Sequence, residues 1–106
     1  MVDLQEVSFK IIAEVGCARS NYIKAIDYAS EGDFEKAEQM LAVGKGNFHE
    51  GHKAHAELLT LMANGELSEV NLLLAHAEDL MTSAEAFGIL GQRFVDLYKK
   101  LDEKEK

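Results

Sequence analysis

The 106-residue chain contains no proline. Proline ends or kinks a helix, because its ring removes a backbone donor and clashes with the preceding turn. A chain of this length without one, rich in Ala, Leu, Glu and Lys, suits long uninterrupted helices. The apolar pattern agrees. From about Asp3 to Ser30, the residues Leu4, Ser8, Ile11, Val15, Ala18, Tyr22, Ala25 and Ala29 step alternately by four and three. That is the spacing of a helix facing other helices. Gly16 interrupts the segment mildly and is expected to let a neighbouring helix approach. Glu31-Gly32-Asp33 then supplies a stop and a start: a glycine for a left-handed cap position and an aspartate to cap the next helix.

A second segment, Phe34 to about Ala63, carries Phe34, Ala37, Leu41, Gly44, Phe48, Gly51, His55, Leu58 and Met62 in the same rhythm, and Asn64-Gly65 closes it. The third begins near Ser68 or Val70 and runs to about Lys100, after which the charged tail Asp102-Glu103-Lys104-Glu105-Lys106 is expected to fray. Helices of roughly 28–33 residues would each be about 42–50 Å long, and short loops make neighbours antiparallel. The expected fold is all-α, a single domain over residues 1–106 forming an up-down-up three-helix bundle.

The third segment holds two adjacent strips. Leu73, Ala77, Leu80, Ala84, Phe87, Gly91, Phe94, Tyr98 and Leu101 form one. Leu72, His76, Asp79, Ser83, Ala86, Leu90, Arg93 and Leu97, mostly small or apolar, form the other. One strip suffices to pack against two helices. The second implies burial elsewhere, so a homo-oligomer is expected, with His76 and Asp79 at or near the subunit boundary.

Composition narrows the function classes. A net charge of −8 argues against a nucleic-acid partner, whose phosphates demand a basic surface. The single cysteine, Cys17, excludes an internal disulfide and suits a reducing compartment; it reads as a packed free thiol. No signal peptide and no run of about 18 apolar residues is present, so a soluble cytoplasmic protein without a membrane span is expected.

His76 sits in Leu72-Leu73-Leu74-Ala75-His76-Ala77-Glu78-Asp79-Leu80-Met81, and two readings compete for it. It is either a satisfied interface histidine or a phosphoryl acceptor, a neutral imidazole whose apolar rim keeps water away. Asp79 lies three positions on and shares its face. In a trimer, three Asp79 carboxylates about 5 Å apart, at an effective dielectric near 20, would repel by about 3 kcal/mol per pair. The total approaches the roughly 5–15 kcal/mol stability of a whole domain. Such a cluster must protonate or hold a hard divalent cation such as Mg²⁺. His49, His52 and His55 form H-x-x-H-x-x-H, which reads either as a structural metal site or as one interface histidine with exposed neighbours. The chain has no Gly-rich phosphate loop, Walker lysine or nucleophile elbow. A phosphoryl group on His76 must therefore arrive on another protein, without direct use of ATP.

At four places in order the chain resembles a known family. Gly16-Cys17-Ala18-Arg19-Ser20 is similar to a G-x-A-R-S motif, Gly32-Asp33-Phe34 with Ala37 to G-D-F-x-x-A, Glu50-Gly51-His52 to E-A-H, and His76-Ala77-Glu78-Asp79 to H-A-[QE]-D. The family is the lactose/cellobiose IIA component of the bacterial phosphoenolpyruvate-dependent sugar phosphotransferase system. The resemblance implies a homotrimer of three-helix protomers, with His76 as the phosphohistidine residue, charged by HPr and discharged onto a cysteine of the IIB component. It further implies that Asp79 meets its symmetry mates around a divalent cation, most simply Mg²⁺, at the trimer centre. Two positions depart from the pattern. Leu80 stands where many members carry a polar residue, and His55 where glutamine is frequent.

Overall fold

The computed structural model describes residues 3–66 and 71–105, and these form three helices. They are α1 (Leu4–Ser30), α2 (Phe34–Ala63) and α3 (Leu72–Glu105). The molecule is a rod of 59 × 20 × 15 Å, as three long helices side by side must be.

The helix ends follow from local chemistry. Asp3 accepts from the backbone N–H groups of Gln5 and Glu6 at the start of α1. Asp33 accepts from Lys36 N at 3.2 Å and so caps α2, satisfying a donor that the first turn leaves orphaned. Gly32 (φ 84°) and Gly65 (φ 73°) occupy the left-handed region after α1 and α2, where other L-residues are strained. Asn71 Oδ1 accepts from Leu74 N at 2.8 Å, setting the first turn of α3. The expected start near Ser68 or Val70 lies outside the described residues. The charged tail does not fray at Asp102: α3 continues through Glu105.

Cross-helix pairs fix the topology. Asn21 Nδ2 donates to Asn47 Oδ1 at 2.8 Å. His55 meets Glu78, and Lys99 Nζ meets Glu38 at 2.7 Å. On each pair of consecutive helices, rising numbers meet falling ones, so both are antiparallel and the bundle runs up-down-up. The central helix is α1, which packs extensively on both others, whereas α2 and α3 touch each other sparingly.

Two apolar clusters fill the rod end to end. One gathers Ile11, Val15, Ala54, Leu58, Leu74, Ala77, Met81 and Ala84; the other gathers Ala18, Tyr22, Ala25, Ala29, Ala37, Leu41 and Val95. Tyr22 joins the three helices. A Cβ on Gly44 would lie 2.6 Å from its Cε1, and one on Gly88 would lie 2.9 Å from its Cζ, so two glycines on different helices admit the ring. Gly16 was expected to play this part, yet a Cβ added there would meet nothing within 4 Å.

The α1 strip is buried as its spacing requires, apart from the half-buried Leu4. On α3 the inward strip is Leu74, Ala77, Met81, Ala84, Gly91 and Val95, so it rotates partly away from the expected Leu73, Leu80 and Phe94. The physical reason is Tyr22: its bulk selects Gly88 and Gly91 to face α1, and this carries Val95 and Met81 inward. The second strip lies on the opposite side and is exposed in the single chain, with Leu72 86%, Leu90 53% and Leu97 49% accessible. Cys17, expected to be packed, is exposed as well.

Candidate functional site

His76 and Asp79 both project from the outer face of α3, one turn after its start, and both are exposed. At about 100° per residue they stand about 60° apart around the helix. Among the described residues neither takes part in a hydrogen bond or ion pair. An exposed, partnerless imidazole flanked by Leu72, Leu73 and Ala75 can accept a group brought to it from outside. An exposed, partnerless carboxylate can only accept hydrogen bonds or ligate a cation.

Leu80, the departure beside these residues, is half-buried and packs against the core cluster around Ile11 and Met81. It stands one turn after His76, about 40° around the helix, between that ring and the core.

The three histidines of α2 do not converge. His49 and His52 are exposed and His55 is half-buried. The His52 ring stacks on Phe48 at 6.3 Å between centroids, and it lies 6.4 Å from the tilted ring of His55. His55 Nε2 is engaged by Glu78 Oε1. Among the described residues no group of three or more His, Cys, Asp or Glu side chains could hold a metal ion. The reading of His49, His52 and His55 as a structural metal site is therefore set aside. Its physical failing is angular, because residues three apart drift around the helix by about 60° per step.

The His55–Glu78 pair is the feature that sequence reasoning missed. His55 is the less accessible partner, with its side chain 15% exposed. The two residues are 23 positions apart, and only the antiparallel register of α2 and α3 brings them together. They line a cleft of about 320 Å³ between these helices, together with Phe48, His52, Thr82 and Glu85. The Thr82 hydroxyl is already committed, donating to the Glu78 carbonyl at 3.2 Å.

A second pocket, almost wholly apolar, lies between α1 and α3 and is lined by Tyr22, Ile23, Ile26, Phe87, Leu90 and Phe94. At its edge the Arg19 guanidinium lies 4.7 Å from the Phe87 ring centroid, a cation–π contact. Burial raises the Tyr22 phenol above its ordinary value of 10.0, because the ionised form loses water it cannot replace. Among the described residues no helix is long and apolar enough to cross a membrane.

Comparison with known proteins places these features in context. Residues 6–99 match a family model described as "PTS system, Lactose/Cellobiose specific IIA subunit". The chain is 31% identical over 101 residues to a lichenan-specific phosphotransferase enzyme IIA component of Bacillus subtilis, covering 95% of this chain and 92% of that protein. It is 30% identical over 94 residues to a lactose-specific EIIA component of Streptococcus mutans, covering 89% and 90% respectively. Among solved structures, the crystal structure of the PTS cellobiose-specific enzyme IIA from Bacillus anthracis superposes with a TM-score of 0.92 at 33% identity, covering 98% of this chain and 96% of that one.

Proposed function

Because the chain belongs to the lactose/cellobiose-specific IIA family of the sugar phosphotransferase system, we propose that it is the cytoplasmic phosphocarrier in which His76 takes a phosphoryl group from phospho-HPr and passes it to a cysteine of the cognate IIB component. The observation that carries this reading is His76 itself. It stands exposed on α3, about 60° around the helix from Asp79, with no partner among the described residues, open to a protein donor and then to a protein acceptor.

The chemistry balances without a net proton. The neutral His76 imidazole uses its lone pair to attack phosphorus. The donor's P–N bond breaks as the new one forms, and the leaving ring keeps the electron pair. Each imidazole retains the proton on its other nitrogen, so the two rings exchange roles. Such transfers depend mainly on positioning and electrostatics, and the flanking Leu and Ala side chains reduce water attack on the product.

The assembly we propose is a homotrimer with the outer face of α3 on the threefold axis. Exposed Leu72, Leu90 and Leu97 would there find apolar neighbours. Each copy would bring one Asp79 carboxylate to the axis, and three together fit a hard divalent cation such as Mg²⁺. That ion would supply charge neutralisation at the axis, offsetting the mutual repulsion of the carboxylates.

Incubation with phosphoenolpyruvate, enzyme I and HPr should place an acid-labile phosphoryl group on the wild type and none on His76→Gln. A wild type that stays unlabelled, or a His76→Gln protein that labels equally, would sink the mechanism.

A further inference from the structure

The register of α1 against α3 sets a second helix beside His76. Tyr22 brings its Cβ and carbonyl to Gly91, and the Arg19 guanidinium lies over Phe87. The two helices run parallel, so a residue of α1 stands level with the residue about 68 positions later in α3. Phe9 is therefore level with His76 to within about two residues, or about 3 Å. At about 100° per residue, His76 lies about 20° around α3 from Phe87, and Ile12 lies about 20° around α1 from Arg19. Both face the flank where α1 and α3 adjoin. Phe9 is turned about 80° from Arg19 on the same flank, toward solvent, and is 53% exposed.

These residues make a continuous apolar shoulder beside the reactive ring. Ile12 and Leu80 pack on the core cluster beneath it, Leu73 is half-buried next to them, and Phe9 stands at the outer edge. The shoulder lies on the side of α1, apart from the arc of Leu90 and Leu97 on which the proposed trimer closes.

Charge cannot supply the docking of a phosphorylated donor here. The incoming phosphoryl group carries a charge near −2, and the exposed ionisable residues that follow His76 are Glu78 and Asp79. On α3 no lysine or arginine precedes Arg93. Lys10, the cation of α1 nearest in height, is turned about 100° beyond Phe9, away from α3. Like charges repel, so the affinity must come from apolar burial. A large aromatic ring in a desolvated contact is the usual anchor of a protein interface.

We propose that phospho-HPr docks on this shoulder, with Phe9 as the anchor that seats the donor and closes the site to water while His76 takes the phosphoryl group. This rests on the phosphocarrier reading above. Phe9 has no part in the bond exchange, so it is a positioning residue.

The test follows the labelling rate against phospho-HPr concentration. Phe9→Ala should raise KM roughly tenfold, the size of one truncated aromatic anchor, with kcat nearly kept. Phe9→Leu retains most of the apolar area and should recover most of the difference. Added salt should lower the wild-type KM or leave it unchanged, since screening relieves the repulsion from Glu78 and Asp79. Sedimentation should give Phe9→Ala the assembly state of the wild type. A KM unmoved by Phe9→Ala, or a wild-type KM that climbs with salt, overturns the proposal. So does a Phe9→Ala protein of altered assembly, because the ring would then lie between copies. Phosphoramidate, a small donor that needs no docking, separates the two readings. A wild type charged by phosphoramidate and not by phospho-HPr overturns the docking alone; one charged by neither removes the phosphocarrier role beneath it.

Discussion

Two glycines on α2, two residues apart, should respond in opposite directions to the same substitution. At Gly46 a Cβ would meet nothing within 4 Å, so Gly46→Ala gains only helix propensity, about 1 kcal/mol. At Gly44 the same methyl would stand 2.6 Å from Tyr22 Cε1 and 2.8 Å from Cδ1. Restoring ordinary carbon–carbon contact, about 3.5 Å, requires the ring to retreat by nearly an ångström. Its retreat is blocked, because the far side of the ring already lies against Gly88 of α3. Overpacking of this kind costs about 1–3 kcal/mol, and with both sides closed the upper half of that range applies. After the propensity gain, Gly44→Ala should lose about 1–2 kcal/mol. A change of 1 kcal/mol moves the melting temperature of a domain this size by roughly 4–8 °C. Thermal unfolding followed by circular dichroism, at one protomer concentration because assembly shifts apparent stability, should therefore rank Gly46→Ala above wild type and Gly44→Ala below it. The clash assigns the loss to Tyr22, so in a Tyr22→Leu background Gly44→Ala should cease to be harmful. If Gly44→Ala matches Gly46→Ala in stability, or its loss survives in the Tyr22→Leu background, the ring is not clamped as described.

Tyr22 also sets an alkaline limit. Its folded pKa is raised above 10.0 by burial, so between the unfolded and folded values the native state binds more protons and stability falls as pH rises. The midpoint of urea unfolding should hold steady up to about pH 9 and decline above about pH 10, and Tyr22→Phe should lose that part of the decline. For the proposed trimer, Asp79→Leu should leave the assembly intact in sedimentation while removing any cation that metal analysis finds in the wild type; a monomeric variant would mean the carboxylate cluster is what assembles the chain.

Most of the bundle is written in its spacing, and the places where it is not have a common cause. On α1 the strip from Leu4 to Ala29 keeps its alternation of four and three unbroken, and although Ile12, Ile23 and Ile26 lie beside it, the unbroken strip is the one that is buried. On α3 the pairs Leu73-Leu74, Leu80-Met81 and Phe94-Val95 offer an apolar residue to either of two adjacent strips. What decides between them is Tyr22, its ring against Gly88 and its Cβ and carbonyl beside Gly91, a contact between helices that no single segment encodes. The candidate site divides in the same way. His76 and Asp79 are three residues apart, so their common face is local information. His55 and Glu78 become neighbours only once the α2–α3 register is known, although a histidine and a carboxylate at mirrored distances from the turn were a signal available beforehand.

The bond between Asn21 and Asn47 has a consequence for which structures the chain avoids. Much of the α1–α2 seam is made of alanine and glycine, and outside the slots that Gly44 and Gly51 leave for Tyr22 and Val15 such smooth surfaces do little to resist sliding by a turn. The two amides do not tolerate it. Shifted by one turn, each would sit half-buried opposite an apolar neighbour, at a cost of about 1–3 kcal/mol for every unmet group. A neutral polar pair of this sort adds little to the depth of the native well. Its effect is to raise the misaligned hairpin, and the helix-exchanged dimers that such a hairpin would seed, above the one alignment in which both amides are met.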